Sequence, residues 1–203
     1  EAMKARWLAK QGDVKFPIDW TSFGGFLDAL VRRGISPNVA SFVGATTVRE
    51  YVLGEDDVDP TPAQLAQMQD LVRQSMREGA LGVGSSLIYA PAYFAETPEL
   101  IALVRAAAES GGGYVSHVRN ESYRLNDAIG EMIEITRAAG GDVLGVDLVA
   151  ADQRGQDGDL AAGVAAVHIV AGVLRLGVAQ LLGDLEGLIK AHVLALHLGQ
   201  HKV

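Results

Sequence analysis

The segment GYVSHVRNE, residues 113–121, carries three side chains that can do chemistry at alternating positions, namely His117, Arg119 and Glu121. If residues 114–117 form a strand, His117 stands at its carboxyl end, where ligands bind to parallel sheets. Neutral imidazole is a common ligand for zinc and related metals. A histidine at such a position can equally be a hydrogen-bonded surface residue, with Arg119 and Glu121 as a solvated ion pair. Composition and spacing leave both interpretations open.

Two further strand ends carry polar groups. Asp147 lies in the predicted strand over residues 143–149, and the loop SSLIYAP, residues 85–91, follows a predicted strand over residues 80–84. A histidine and a carboxylate at the same ends of neighbouring parallel strands can form an open zinc site. A metal held in this way polarises a carbonyl group and lowers the pKa of its bound water to about 7. Asp147 can instead cap the segment that follows it, and Tyr89 can be a loop aromatic packing on the rim.

The elements that must position these residues alternate along the chain. Capping, proline and glycine signals predict short helices over residues 1–10 and 26–33 and longer ones over 62–78, 97–110 and 125–139. Strands are predicted over residues 38–43, 80–84, 114–117 and 143–149. This alternation predicts an α/β fold with a parallel sheet, which both a doubly wound sheet and a barrel satisfy. Because no glycine-rich nucleotide motif follows a strand, we interpret the chain as a partial (β/α)8 TIM-like barrel, incomplete at both ends.

The composition excludes several classes of function. The 203 residues are 49% hydrophobic and 21% charged, as in ordinary soluble globular proteins, and the formal net charge of −8 argues against nucleic-acid binding. The sequence contains no cysteine, which excludes disulfides, thiolate metal sites and cysteine nucleophiles. Residues 1–15 are charged throughout and contain no apolar signal-peptide core, so we expect a cytoplasmic location.

The last quarter of the sequence differs from the rest. We interpret residues 1–152 as the barrel portion and residues 153–203, rich in Gly, Ala, Leu and Val, as an apolar helical tail of unclear origin. Residues 160–182 are long enough to span a bilayer. They contain His168 and Arg175 and no positive cluster flanks them, so a buried helix is the preferred interpretation.

Three segments resemble one family. They are SFVGATTVREYVLG (residues 41–54), GALGVGSSLIYAPAYFAETPELIAL (79–103) and GGGYVSHVRNES (111–122). These are similar to the N-acyl-D-amino-acid deacylase, or D-aminoacylase, branch of the amidohydrolase superfamily, and the similarity covers about residues 20–140. Its most specific parts are the Gly-Ala-Leu-Gly entry into Ser-Ser-Leu-Ile-Tyr-Ala-Pro and the Tyr-x-x-His-x-Arg-x-Glu run.

The resemblance implies a metal-dependent barrel in which zinc and its water hydrolyse the amide of an N-acylated D-amino acid. By position, His117 matches a metal-binding histidine of the family, and Arg119 lies where a residue near the substrate carboxylate is expected. Tyr89 and Ile88 match the loop that lines the acyl or side-chain pocket. The implied cofactor is therefore zinc, and the implied partner is a small N-acyl amino acid.

The sequence also departs from this family. It has no His-x-His pair and no identifiable counterpart of the catalytic Asp. After residue 140, where the family has a metal histidine and a lysine, this chain has Asp147 and Val149, so Asp147 is the candidate second ligand. We therefore expect a fragment that is inactive alone, with the acid/base carboxylate supplied outside this chain. The alternative is a non-catalytic relic, truncated or frameshifted, that self-associates through its tail or open sheet edges.

Overall fold

The computed structural model describes residues 2–13, 16–141, 143–149 and 166–169, the last two ranges as backbone only. The helices are α1 (Ala2–Lys10), α2 (Phe23–Arg33), α3 (Ala45–Leu53), α4 (Pro62–Arg77), α5 (Thr97–Ala108) and α6 (Leu125–Ala139). The strands are β1 (Val43–Gly44), β2 (Gly82–Ser86), β3 (Gly113–His117), β4 (Val143–Val149) and β5 (Ala166–Ile169). A short 3-10 helix, Ala92–Phe94, lies between β2 and α5.

The strands form one sheet in the order β1-β2-β3-β4-β5. β1 to β4 are parallel, with helices in the connections between them, which confirms the predicted α/β fold with a parallel sheet. β5 pairs antiparallel with β4. The sequence analysis predicted a helix for this part of the tail, but Val167 and Ile169 are β-branched residues at alternating positions and pair well in a strand.

The helix ends follow local chemistry. Ser22 accepts a hydrogen bond from the N–H of Gly25 at the start of α2, and Gly34 ends that helix with a positive φ of 74°. Thr61 and Gln64 form a capping box at the start of α4, with Pro62 as its first residue. These signals are visible in the sequence. The bounds of α4 agree with the prediction within one residue, whereas α2 begins three residues before its predicted start.

The predicted elements between residues 38 and 86 need correction. The strand predicted over residues 38–43 is only Val43–Gly44, and helix α3 begins directly after it, where no helix was predicted. The strand predicted over residues 80–84 is displaced by two residues and ends at Ser86. Strand bounds depend on pairing with the neighbouring strands, which a single sequence does not contain.

One face of the sheet is covered by helices. Along β3, the fully buried Tyr114 and Ser116 alternate with the half-buried Val115 and His117. The core includes Val83 of β2 and apolar side chains of helices α4 to α6, among them Met68, Val72, Leu100, Leu103, Val104 and Ile135. His117 therefore lies on the face of β3 opposite to this core.

Glu78, which directly follows α4, caps the start of α2. Its Oε2 accepts a 2.7 Å hydrogen bond from the N–H of Gly24, and its Oε1 accepts one of 2.8 Å from the side chain of Gln74. A carboxylate at a helix N-terminus satisfies free N–H groups and interacts favourably with the helix dipole. Burial by itself would raise the pKa of Glu78, but the donors of Gly24, Gln74 and Ser22 together hold that pKa below its ordinary value.

A Glu78→Gln variant is expected to lose about 1 kcal/mol of unfolding free energy at neutral pH, since the neutral amide caps α2 more weakly. The folded-state pKa of Glu78 lies below its ordinary value of 4.5. Its contribution is therefore fully present above that value and is lost as the pH falls through the folded-state pKa. Urea unfolding over this pH range should show the difference shrinking in acid. Asp28→Asn, which changes an exposed carboxylate of α2, is the control, and a difference independent of pH would contradict the assignment.

Among the described residues, no helix is long and apolar enough to cross a membrane. Of the apolar stretch at residues 160–182, only Ala166–Ile169 is described, as the strand β5. The remaining residues of this stretch, and the predicted boundary at residue 152, lie outside the described residues.

Candidate functional site

The carboxyl ends of neighbouring strands bring the candidate residues into one row. In the register of the sheet, Ser86 of β2 pairs with His117 of β3, and His117 pairs with Asp147 of β4. β5 continues the row with His168, which pairs with Asp147. Residues paired in register lie on the same face of a sheet. The structure thus places the two predicted metal ligands, His117 and Asp147, side by side on adjacent strands.

The imidazole of His117 has an unusual environment. Its Nε2 is buried and lies 2.9 Å from Oε1 of Glu121, yet the contact does not have the geometry of a hydrogen bond. The aromatic ring of Tyr89 packs edge-on against the imidazole, with ring centroids 5.4 Å apart. Within the described part of the chain, this nitrogen has no hydrogen-bond partner, which is rare for a buried ring nitrogen.

The loop residues predicted to line a pocket lie beside this histidine. The N–H of Leu87 donates a 2.9 Å hydrogen bond to the carbonyl of His117, which extends the pairing of β2 and β3 by one residue. Tyr89 contacts His117 through its ring and is 59% exposed, and Ile88 is half-buried. The structure therefore brings Tyr89 to the site, while the contact of Tyr89 and Ile88 with a substrate stays a prediction.

Arg119 is bonded within the protein through all three nitrogens of its guanidinium group. Nε and Nη2 donate to the carboxylate of Glu131 at distances between 2.8 and 3.2 Å. Nη1 donates to the carbonyl of Tyr93 at 2.7 Å, and Nη2 also donates to the carbonyl of Ala95 at 2.8 Å. The sequence analysis did not identify Glu131. A contact between Arg119 and a substrate carboxylate stays a prediction.

A network of hydroxyl groups, also absent from the sequence analysis, joins β2 to β3. The hydroxyl of Ser85 lies 2.7 Å from that of Tyr114 and 3.0 Å from that of Ser116. Burial raises the pKa of Tyr114 above its ordinary value, although the hydroxyls of Ser116 and Ser85 oppose this shift. The signal in the sequence that could have identified this network was the hydroxyl residues at alternating positions in the two strands. These groups are satisfied by one another and fix the two strands that carry Ser86 and His117.

The described side chains do not form a complete metal site. Within this part of the chain, no three His, Cys, Asp or Glu residues are grouped so that they could hold an ion. The backbone register adds Asp147 and His168 to the row, but their side chains lie outside the description. Among the described side chains, His117 is thus the single candidate nitrogen ligand in the row, whereas a zinc site ordinarily has three or four protein ligands.

The chain is similar in sequence to proteins of known activity. No protein-family model matches the chain. It is 34% identical over 115 residues to a D-aminoacylase of Alcaligenes xylosoxydans xylosoxydans, a match that covers 57% of this chain and 24% of the relative. It is 31% identical over 133 residues to an N-acyl-D-glutamate deacylase of the same organism, which covers 66% of this chain and 27% of the relative.

The fold agrees with this similarity. The crystal structure of N-acyl-D-glutamate deacylase from Bordetella bronchiseptica, complexed with zinc and a phosphonate mimic of the tetrahedral reaction intermediate, matches with a TM-score of 0.59. The match has 30% sequence identity and covers 65% of this chain and 27% of that one. The resemblance to the N-acyl-D-amino-acid deacylases is confirmed.

The chain spans about a quarter of the length of the deacylases that it matches. The structural match covers 65% of this chain, whose described part contains a parallel α/β sheet, in keeping with the interpretation of a partial match. The deacylases are hydrolases, and the Bordetella deacylase structure contains zinc. Metal-dependent amide hydrolysis is therefore the chemistry of the proteins to which this chain is similar.

Proposed function

We propose that this chain is part of a zinc-dependent amidohydrolase that acts on N-acyl-D-amino acids. The observation that carries the proposal is the position of His117 at the carboxyl end of a parallel strand, where its buried Nε2 lies 2.9 Å from Oε1 of Glu121 and makes no hydrogen bond to any described residue. The zinc-containing deacylase structure, at 30% identity, supports it. The substrate class follows from the same relatives, which act on D-aminoacyl compounds by their names.

The fold belongs to the same proposal. Four parallel strands with helices in their connections are what one portion of a (β/α)8 barrel provides. We assign residues 1–152 to such a partial barrel and residues 153–203 to a tail, of which β5 adds an antiparallel strand beside β4. Active sites of barrels lie at the carboxyl ends of the strands, where Ser86, His117 and Asp147 are in register.

The proposed roles follow the geometry. His117 supplies one metal ligand and Asp147 a second, while further ligands and the acid/base carboxylate come from outside the described residues. Tyr89 and Ile88 border the pocket for the acyl group or side chain, and Arg119 brings positive charge near the substrate carboxylate. Because the described side chains supply only one candidate ligand, the chain alone is expected to be inactive.

Zinc titration followed by NMR of the histidine ring nitrogens tests the role of His117. Zinc is expected to shift the His117 resonances. A His117→Gln variant is expected to bind zinc at least about 10–100-fold more weakly, since losing a residue that only supports a metal ligand typically costs that much. His201→Gln, at a histidine outside the described residues and outside the resemblance, is the matched control and should leave the affinity unchanged. Equal effects of both variants would contradict the assignment.

An activity assay separates the fragment from its alternatives. Purified chain with added zinc is offered N-acetyl-D-glutamate, N-acetyl-D-aspartate and N-acetyl-D-methionine, with the L enantiomers as controls. Zinc binding at His117 without turnover supports the inactive fragment. Hydrolysis of the D compounds alone would show that the chain completes the site itself. If the chain shows no zinc binding and no turnover, the result would support the non-catalytic relic. The incomplete set of described ligands is the observation that favours this alternative.

A further inference from the structure

Residues 87–96, here called the site loop, connect β2 to α5 and border the candidate site. The loop contacts His117 through the edge-on packing of Tyr89, with ring centroids 5.4 Å apart. Within the loop, the N–H of Tyr93 donates a 2.9 Å hydrogen bond to the carbonyl of Tyr89. The position of Tyr89 over the imidazole is therefore linked to the position of Tyr93.

Arg119 fastens the second half of the site loop. Its Nη1 donates to the carbonyl of Tyr93 at 2.7 Å, and its Nη2 donates to the carbonyl of Ala95 at 2.8 Å. The guanidinium carbon also lies 5.7 Å from the centroid of the Tyr93 ring, within the range of a cation–π contact. One side chain, two residues beyond His117, thus holds two carbonyl groups of the loop.

Glu131 of α6 fixes the orientation of Arg119. Its carboxylate accepts three hydrogen bonds of 2.8 to 3.2 Å from Nε and Nη2 of Arg119, and its Oε1 also accepts one of 2.9 Å from the hydroxyl of Thr97. The Glu131 and Arg119 side chains are only 17% and 22% exposed, so water and salt screen the pair less than a surface pair. Paired hydrogen bonds between a planar guanidinium group and a carboxylate fix the orientation of the side chain as well as stabilising it.

We propose that Glu131 is a positioning residue of the candidate site. It holds Arg119 in the orientation in which the guanidinium group bonds the carbonyls of the site loop. Through Tyr93, it thereby fixes how the ring of Tyr89 packs against His117. The importance of Glu131 for catalysis rests on the proposed function of His117. Its effect on the order of the site loop does not depend on that function.

Hydrogen exchange of a Glu131→Gln variant tests this proposal. Because a charge-assisted hydrogen bond is replaced by a neutral one, the amides of Tyr93, Phe94 and Ala95 are expected to exchange about tenfold faster. Amides of β2 and β3 should keep their rates, and the ring protons of His117 should shift as the Tyr89 ring moves. Glu134→Gln, at an exposed position of the same helix, is the matched control and should change neither readout.

A second variant decides the matter if Glu131→Gln folds poorly. Arg119→Lys keeps the positive charge but loses the fork, so it should loosen the same three amides. Loop exchange equal to that of Glu134→Gln, or an equal increase throughout the sheet, would overturn the positioning role. If the loop loosens but zinc leaves the His117 resonances unchanged, the proposed function fails and the positioning role stands.

Discussion

An Arg49→Met variant is expected to lose about 3–5 kcal/mol of unfolding free energy, because it leaves a carboxylate buried without its counter-ion. Arg49 of α3 and Glu99 of α5 form an ion pair in which the side chains are only 1% and 5% exposed. Arg49 also donates through Nη2 to the carbonyl of Val58 at 2.5 Å, which ties the segment after α3 to the pair. Chemical denaturation at neutral pH measures the loss.

The interior around Glu99 explains the size of this effect. Burial raises the pKa of Glu99 above its ordinary value, although the charge of Arg49 opposes the shift. Oε1 of Glu99 and Nε of Arg49 are buried without a hydrogen-bond partner among the described residues, so the pair is already incompletely satisfied. Removing Arg49 would leave the remaining carboxylate with little compensation.

Two controls make the prediction specific to burial. An Arg49→Met/Glu99→Leu double variant should recover most of the stability, because an apolar pair of similar volume avoids the desolvation cost. Arg124→Met breaks the exposed pair between Arg124 and Asp127, whose side chains are 64% and 68% exposed, and should cost far less stability than Arg49→Met. A loss in Arg49→Met no larger than that in Arg124→Met would refute the argument.

A Gly82→Ala variant is expected to lose about 3 kcal/mol or more, through a steric conflict inside the sheet. Gly82 begins β2 with φ of 150° and pairs in register with Gly113 of β3. A Cβ at Gly82 would lie 2.0 Å from the carbonyl oxygen of Gly113, far inside van der Waals contact. Because the obstacle is backbone, the two strands must separate to make room.

Gly130→Ala is the matched control for this substitution. Gly130 lies within α6, and a Cβ there meets no atom within 4 Å. Alanine is the better helix former, so this variant should gain about 0.5–1 kcal/mol. Thermal unfolding followed by circular dichroism compares the two variants, and wild-type stability of Gly82→Ala would show that the strands tolerate a side chain at this position.

Much of the fold could be predicted because the signals are local. The capping box of Thr61 and Gln64, Ser22 before α2 and Gly34 after it are contained within a few residues, and they identify helices α2 and α4. The same holds for Thr97-Pro98 and the glycines at 111–113 around α5. Helix α3 was missed because β1 joins it directly at Gly44, with no polar capping side chain to announce it.

The candidate site was only partly predictable. The type and spacing of His117, Arg119 and Glu121 identified the strand end, and the loop motif identified Tyr89. Glu131 was not identified, because its contact with Arg119 spans 12 residues and depends on how α6 packs beside β3. The same holds for the hydroxyls of Ser85 and Tyr114, which are 29 residues apart.

What the sequence by itself determined is therefore most of the elements, though not α3 or β5, their parallel α/β order, and a histidine at a strand end in a motif resembling the deacylases. Caps, glycines and periodic apolar residues act over a few residues, so a single sequence contains them. Only the tertiary structure decided the partners of the charged groups. Arg49 pairs with Glu99, 50 residues away, and Arg119 bonds to Glu131 and to the site loop, which belong to separate elements. Such pairings depend on the packing of helices against the sheet, where burial strengthens an ion pair and penalises an unpaired charge.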